Sequence, residues 1–122
     1  MNIKGRFEEA IKSFDDKEYK RCKNLCDKIL EKNQKDERAM ALKGLSMFYI
    51  NEKEEGKKCI NAALKLNMNS SMAWHFYAIY LKEDGKILQA LNCYNQANKK
   101  DCFKGNSNIF IKNTANSNEE EE

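Results

Sequence analysis

A period of 34 residues runs through this chain of 122 residues. In frames that begin at residues 3, 37 and 71, the eighth position always holds a small residue, namely Ala10, Gly44 and Ala78. The twentieth position is small in every frame as well, and holds Cys22, Gly56 and Ala90. Self-similarity at a fixed period constrains the fold strongly, because each repeat has to be one supersecondary unit that stacks on the next.

Each frame has the pattern of two helices. The chain contains no proline, and its many Lys, Glu, Leu and Ala residues favour helix. Asp36 is placed as the N-cap of one helix and Ser70 or Ser71 as the N-cap of another, and Asp84-Gly85 marks a tight turn. The predicted helices are Ile3–Phe14, Lys17–Lys32, Glu37–Ile50, Glu52–Leu66, Ser71–Lys82 and Lys86–Lys99.

The clearest copy of the pattern runs from Ala73 to Ala97. Helix pairs that repeat every 34 residues, with Trp, small and aromatic residues in these places, carry the tetratricopeptide (TPR) signature. We therefore predict an all-α fold, a TPR-type α-solenoid of about three helix pairs in residues 1–102, with repeats at 3–36, 37–70 and 71–102. The expected repeat core consists of Ala10, Cys22, Gly44, Gly56, Trp74, Tyr77, Ala78, Ala90, Tyr94 and Ala97.

The repeat pattern stops after Lys100. Residues 103–122 are rich in Asn, Ser and Glu, and this composition predicts a disordered tail. The alternative is the start of a fourth repeat, begun about three residues late and then cut off.

The net charge also differs between the repeats and the tail. Residues 1–100 carry 20 Lys and Arg against 14 Asp and Glu, whereas residues 101–122 carry 2 against 5.

Several classes of protein are disfavoured by the composition. No stretch approaches 18 apolar residues, so we expect no membrane span, and the charged N-terminus does not fit a signal peptide. Five cysteines and one histidine suit neither a disulfide framework nor a metal site, and Cys22 and Cys26 are interpreted as packing residues. No glycine-rich phosphate loop or catalytic motif occurs. We expect no catalytic residue, no metal, no cofactor and no small-molecule substrate.

Three segments carry a more specific resemblance. They are M-A-L-K-G-L at 40–45, A-W-H-F-Y-A at 73–78 and A-L-N-C-Y-N-Q-A at 90–97. Together with the turn Lys17-Glu18-Tyr19, they resemble the N-terminal part of the auxiliary subunit of N-terminal acetyltransferase A (NatA). The resemblance covers roughly residues 7–101, and its specific part is K-G-L followed by W-H-x-Y at the right distance.

The resemblance implies a function without chemistry of its own. Auxiliary subunits of this family are long α-solenoids that wrap a catalytic acetyltransferase subunit and anchor it at the ribosome. The expected partners are therefore the catalytic subunit and the ribosome (protein and rRNA), and the expected location is cytoplasmic and ribosome-associated. Family members run to several hundred residues, so this chain would hold the first three repeats. The alternative is a free-standing TPR adaptor, similar to a co-chaperone.

The second predicted helix carries a basic stripe. At about 100° per residue, Lys17, Arg21, Lys28 and Lys32 fall within an arc of about 60°. Lys20 and Lys23 flank the stripe. Such a stripe could lie against ribosomal RNA phosphates. The alternative is a solvated helix face whose charge is balanced by Glu18, Asp27 and Glu31.

The fifth and ninth positions of each frame are expected to line a concave groove. They hold Phe7, Ile11, Ala41, Leu45, His75 and Ile79. This lining is mostly apolar and lacks the Lys and Asn residues of a carboxylate clamp, so the expected occupant is a helix of this chain or of a partner. The alternative is that these residues pack between neighbouring repeats. His75 is interpreted as a structural or groove-facing residue, because no motif places a nucleophile or an acid beside it.

Overall fold

The computed structural model describes residues 3–99 and the side chains from residue 5 onward. The predicted all-α fold is confirmed, and each helix end lies within two residues of its predicted position. The helices are α1 (Ile3–Asp15), α2 (Tyr19–Lys32), α3 (Glu37–Tyr49), α4 (Lys53–Leu66), α5 (Ser71–Glu83) and α6 (Ile87–Lys99). The predicted tail, residues 103–122, lies outside the described residues.

The helices fall into two compact units. The first ends at Met68 and holds α1 to α4, and the second begins at Asn69 and holds α5 and α6. Within the first unit, α3 packs on both α2 and α4, while α1 packs on α2. Within the second unit, α5 packs on α6.

The same turn joins the two helices of every pair. Its central residue has a positive φ angle in each case, 65° at Lys17, 66° at Asn51 and 84° at Gly85. The N–H of the following residue donates to the carbonyl five residues earlier at 2.8 Å, in the pairs Glu18–Ser13, Glu52–Met47 and Lys86–Leu81. This 6→1 hydrogen bond is the mark of a Schellman C-cap, which satisfies carbonyls that the helix end leaves without partners.

Side-chain caps begin the first helix of the second and third repeats. The Asp36 carboxylate accepts from the backbone N–H groups of Arg38 and Ala39 at 3.1 Å. In the equivalent place, Ser70 Oγ accepts from the N–H of Ala73 at 3.2 Å. The predicted cap at Asp36 is confirmed, and of the two candidates Ser70 and Ser71 the structure selects Ser70. Each cap satisfies donors that would otherwise be left unpaired at the helix start.

A stripe of buried residues recurs on the second helix of every pair. It follows the i, i+4, i+7 spacing of one helix face. In α2 it consists of Cys22, Cys26 and Ile29, in α4 of Gly56, Ile60 and Ala63, and in α6 of Ala90, Tyr94 and Ala97. Tyr94 is the largest of these side chains and is fully buried. Two residues predicted to lie in the core, Trp74 and Tyr77, are only half-buried in the structure.

Two glycines, Gly44 on α3 and Gly56 on α4, bring these helices close together in the first unit. A Cβ atom added to Gly44 would overlap the carbonyl oxygen of Gly56, and one added to Gly56 would overlap the carbonyl oxygen of Gly44. The added atom on Gly44 would also lie 2.7 Å from Ile60 Cγ1. The contact brings the backbones of α3 and α4 together, so the small residues predicted at positions eight and twenty have a steric cause here.

Candidate functional site

The predicted basic stripe is shorter than the sequence pattern indicated. Helix α2 begins at Tyr19, so Lys17 is not on the helix but in the preceding turn, with a φ angle of 65°. The prediction that Lys17 shares a helix face with Arg21, Lys28 and Lys32 is therefore wrong. The reason is that the chain reverses at Lys17, which occupies the same turn position as Gly85 in the third repeat.

Two residues of the basic set are paired with acidic side chains of other segments. Lys23 Nζ lies 3.0 Å from Glu52 Oε1. The Arg21 guanidinium lies 3.6 Å from Glu18 Oε1 and 3.9 Å from Glu9 Oε2. These contacts offset part of the positive charge that a helical projection of α2 alone displays, although exposed ion pairs of this kind contribute little to stability.

Three lysines of α2 remain as an exposed basic surface. We call Lys20, Lys28 and Lys32 the basic face. All three are exposed, and within residues 5–99 none of them forms an ion pair. They span about 18 Å along the helix axis at 1.5 Å per residue. Asp27, expected to balance this charge, instead pairs with Lys43 on α3 at 2.7 Å.

The predicted concave groove is largely filled by the protein itself. Ala41 and Leu45 are fully buried in α3, which packs between α2 and α4. Phe7 is buried under the Arg38 guanidinium, which lies 4.5 Å from the centre of its ring. Only Ile11 and Ile79 are half-exposed. The prediction of an open apolar groove at these positions is therefore wrong for most of its members, and the packing alternative describes them better.

His75 is a buried residue of the second unit. Only 4% of it is exposed, and its ring lies 5.6 Å from that of Phe76 and 6.2 Å from that of Tyr94, measured between ring centres. Burial lowers the pKa of His75 to about 4, because desolvation disfavours the charged imidazolium. The imidazole is therefore neutral at neutral pH and packs against the rings of Phe76 and Tyr94.

The K-G-L segment has a packing explanation at each of its positions. Lys43 pairs with Asp27, and the hydrogen bond to that carboxylate raises the pKa of Lys43. Gly44 meets Gly56, and Leu45 is fully buried. The segment thus ties α3 to both of its neighbours.

A groove that the sequence analysis did not identify lies between α5 and α6. It encloses about 280 Å³. Helix α5 contributes Trp74, Tyr77 and Leu81, and helix α6 contributes Gln89, Asn92, Cys93 and Gln96. Both sets follow the i, i+3 or i+4, i+7 spacing of a single helix face. This spacing is the sequence signal from which the groove could have been predicted. Burial raises the pKa of the Cys93 thiol to about 11, so it is protonated at neutral pH.

Among the described residues there is neither a candidate metal site nor a helix that could span a membrane. From residue 5 to residue 99, no group of three or more His, Cys, Asp and Glu side chains could hold a metal ion. Cys22 and Cys26 are fully buried, and the hydrogen bond to Cys22 together with burial raises the pKa of Cys26. In the part of the chain that the structure describes, no helix is both long and apolar enough to cross a bilayer.

Comparisons with known proteins connect these features to one group. A family model described as "Psidin, N-terminal TPR repeats region" matches residues 6–112. The human N-alpha-acetyltransferase 16, NatA auxiliary subunit, is 30% identical over 97 residues, which cover 78% of this chain and 11% of the relative. The Arabidopsis thaliana N-terminal acetyltransferase A complex auxiliary subunit NAA15 is 26% identical over 91 residues, 75% of this chain and 10% of the relative.

A solved structure gives the same relationship in three dimensions. It is described as Naa15/Naa10 bound to HypK-THB, and its matching chain superposes with a TM-score of 0.77 at 29% sequence identity. The match covers 81% of this chain and 15% of that chain. This chain therefore spans only a small part, 10% to 11%, of the length of these curated relatives.

Proposed function

Because the chain belongs to the family of the Psidin N-terminal TPR repeats region, we propose that it forms the N-terminal scaffold segment of a NatA auxiliary subunit. In this role it transfers no acetyl group itself. It supports co-translational N-terminal acetylation in the cytoplasm by helping to hold a catalytic acetyltransferase subunit at the ribosome. The observation that carries the proposal is the family match over residues 6–112, joined to 30% identity with the human auxiliary subunit.

The packing of the described residues supports a scaffold role. Each helix pair repeats the same turn and the same buried stripe, as expected of a repeat scaffold. The histidine that a catalytic role would call upon is buried and neutral. Helix pairs whose side chains are engaged in packing suit a chain that positions another protein.

The basic face is the surface that we assign to ribosome contact. Lys20, Lys28 and Lys32 point into solvent without ion pairs among the described residues, so their charge is available to phosphates. Ribosomal RNA presents a dense array of phosphate charges, and each lysine that neutralises one releases a counterion. Lys17 lies in the turn before α2 and adds charge near its start, whereas Arg21 and Lys23 have acidic partners.

An adaptor that holds an extended peptide is less well supported. Such an adaptor needs an open lining on the first helix of each pair. Four of the six predicted lining residues are buried, namely Phe7, Ala41, Leu45 and His75. The remaining two, Ile11 and Ile79, are half-exposed.

Charge reversal on the basic face tests the ribosome contact. Lys20, Lys28 and Lys32 are changed together to Glu in the tagged full chain, and co-sedimentation with ribosomes is measured between low and physiological salt. We expect weaker binding, with the largest loss at low salt. We also expect the plot of the logarithm of the binding constant against the logarithm of the salt concentration to become less steep by about 2, because three phosphate contacts are lost.

The matched control reverses three other exposed lysines, Lys65, Lys82 and Lys99, which lie on α4, α5 and α6. This variant carries the same change in net charge but leaves α2 intact. Equal losses in both variants would mean that binding follows net charge alone. Unchanged binding in the α2 variant would mean that the basic face is an ordinary solvated surface.

A further inference from the structure

Two cysteines of α2 form a buried pair of thiols that the scaffold role leaves unused. Cys22 and Cys26 lie one helical turn apart on the buried stripe, and both are fully buried as free thiols. The hydrogen bond from the Cys26 thiol lowers the pKa of Cys22, and the same bond together with burial raises the pKa of Cys26. A thiol of lowered pKa beside a protonated thiol resembles an oxidisable cysteine beside its resolving partner.

The repeat frame does not require sulfur at these two positions. The equivalent positions of the second and third repeats hold Gly56, Ile60, Ala90 and Tyr94. All four of these residues are buried and belong to the same stripe of their own helices. Packing is therefore satisfied without a thiol at either position, and the pair in α2 adds a chemistry that packing does not need.

Helix α1 covers the thiol pair on one side. In the second repeat, a Cβ atom added to Gly44 of α3 would meet Gly56 and Ile60 of α4. The same positions one repeat earlier are Ala10 on α1 and the two cysteines on α2. Since α1 packs on α2 and Ala10 is fully buried, α1 has to move away before a reagent can reach the thiols from this side.

Helix α1 is held less firmly than α3, which also packs on α2. Within residues 5–15, the buried residues of α1 are Phe7, Ala10 and Ser13. Helix α3 buries seven residues and packs on both α2 and α4. Elements with few buried apolar contacts open at a lower free energy than the core of a domain. Opening of α1 is therefore the lowest-energy route by which the two thiols become accessible.

The intact helix α2 cannot accommodate a disulfide between these two cysteines. Residues four apart in an α-helix have Cβ atoms about 5–6 Å apart, whereas the Cβ atoms of a disulfide are about 3.5–4.5 Å apart. A bond between Cys22 and Cys26 therefore requires α2 to unwind between them, and it prevents that turn from forming again. Helix α1 then loses the surface on which it packs.

We propose that Cys22 and Cys26 form a redox-sensitive switch, in which a hydroperoxide oxidises the pair to a disulfide that holds the first helix pair open. Once α1 opens, the Cys22 sulfur takes one oxygen of the peroxide and becomes a sulfenic acid, and water or an alcohol leaves. The Cys26 sulfur then attacks the Cys22 sulfur, and the hydroxyl group leaves with the Cys26 proton as water. The two thiols lose two electrons and two protons in all.

The proposal does not depend on acetyltransferase or ribosome binding, although α2 also carries the basic face. Its test is to incubate the full chain with hydrogen peroxide at neutral pH, alkylate the remaining thiols, and detect peptides joined through Cys22 and Cys26 by mass spectrometry. We expect this disulfide to form while the ellipticity at 222 nm falls by roughly a quarter, the share of the helical residues in α1 and in α2 up to Cys26. Reduction with a phosphine should restore the signal.

Two serine variants provide the matched comparison. Cys26→Ser should keep its ellipticity in peroxide, because Cys22 then has no resolving thiol and stops at the sulfenic acid. Cys59→Ser removes the half-exposed cysteine of α4 and should respond as the wild type does. Oxidation of Cys59 without a disulfide between Cys22 and Cys26 would overturn the proposal. Formation of that disulfide with full retention of ellipticity would also overturn it, because the switch requires α2 to unwind.

Two phenylalanine variants test the role of α1. Phe7→Ala removes a buried ring from α1, and Phe76→Ala removes a buried ring from α5 in the second unit. We expect the disulfide to form roughly tenfold faster or more in the Phe7 variant, because α1 opens more often. The Phe76 variant should keep the wild-type rate.

Circular dichroism before oxidation identifies the variants that retain their helices, and the milder Phe7→Leu decides the matter if Phe7→Ala unfolds. Equal acceleration in the Phe7 and Phe76 variants would contradict the proposal, because the thiols would then become accessible only through unfolding of the whole chain.

Discussion

At the scale of single residues, Gly44 and Gly56 set the distance between α3 and α4. Gly→Ala in an exposed helix stabilises by about 1 kcal/mol. Here the opposite sign is expected, because each added Cβ would meet a backbone carbonyl that cannot rotate away. We predict that Gly44→Ala and Gly56→Ala each lower the free energy of unfolding by about 1–3 kcal/mol, the usual cost of overpacking. Urea denaturation followed by circular dichroism measures the change.

The matched control for the glycine variants is Asn61→Ala, an exposed position on the same helix α4. This change adds no atom to the contact between α3 and α4 and improves helix propensity. Its stability should equal or exceed that of the wild type. Stabilisation by Gly44→Ala would show that the two backbones are farther apart than the structure has them.

His75 makes the stability of the second unit depend on pH. Burial lowers the pKa of His75 to about 4, whereas an unperturbed histidine has a pKa near 6.5. Between these values the unfolded chain binds a proton that the folded chain does not, so folding is favoured above pH 6.5 and weakens as the pH falls toward 4. We predict a loss of about 2 kcal/mol between pH 7.5 and pH 5.0 from this group.

The comparison variant is His75→Gln, which removes the titrating group and keeps a polar side chain. Urea denaturation at both pH values isolates the contribution of His75, because the carboxylates titrate equally in the two proteins. The wild type should lose more stability than the variant on acidification. Equal losses would mean that His75 is protonated as easily in the folded chain as in the unfolded one.

At the scale of the structural element, the turn inside each helix pair contains a residue with positive φ. Glycine adopts this conformation without strain, whereas other L residues are disfavoured by about 1–2 kcal/mol. Gly85 occupies the position in the third repeat, but Lys17 occupies it in the first. We predict that Lys17→Gly raises the free energy of unfolding by about 0.5–1 kcal/mol, after the larger chain entropy of glycine is offset.

The reverse change, Gly85→Ala, should lower stability by about 1 kcal/mol. An added Cβ on Gly85 has no atom within 4 Å, so backbone conformation alone causes the loss. Thermal or urea unfolding of both variants tests the pair. A stabilising Gly85→Ala or a destabilising Lys17→Gly would contradict the shared turn geometry.

The helices themselves could be predicted because local signals agreed with the period. Asp36 and Ser70 act as caps where they were expected, and Gly85 ends the turn after α5. The helical pattern assigns Lys17 to α2 because lysine favours helix, whereas the equivalent positions Asn51 and Gly85, one and two repeats later, hold residues that favour a turn. The helix boundary at Lys17 therefore had a sequence signal, but it lay 34 and 68 residues away in the chain.

The surfaces were harder to predict, because they depend on atoms from other helices. Arg21 and Lys23 belong to the basic pattern of α2, yet their acidic partners Glu9 and Glu52 lie outside that helix. Phe7 lies on α1, and Arg38 of α3 covers its ring. A projection of one helix shows which residues share a face, but not which of them another segment buries or neutralises.

At the scale of the whole molecule, the family relationship carries more functional information than any single side chain. The sequence resemblance to NatA auxiliary subunits agreed with the family model, the curated relatives and the solved structure. The resemblance rests on Lys43 to Leu45 and on Trp74 to Tyr77. The first segment packs α3 against its neighbours, whereas Trp74 and Tyr77 line the groove of the second unit. They identify the family through its architecture, and the scaffold role is the function that such an architecture supports.

The central claim is that this chain acts as a scaffold in an acetyltransferase complex. Its most direct test is to tag the endogenous protein near Met1, purify it at low salt and measure acetyl transfer by the eluate to peptides that begin with Ser or Ala. The account predicts transfer activity together with an acetyltransferase and ribosomal proteins in the eluate. An eluate without transfer activity, in which the tagged chain occurs with chaperones or with no stable partner, would contradict it.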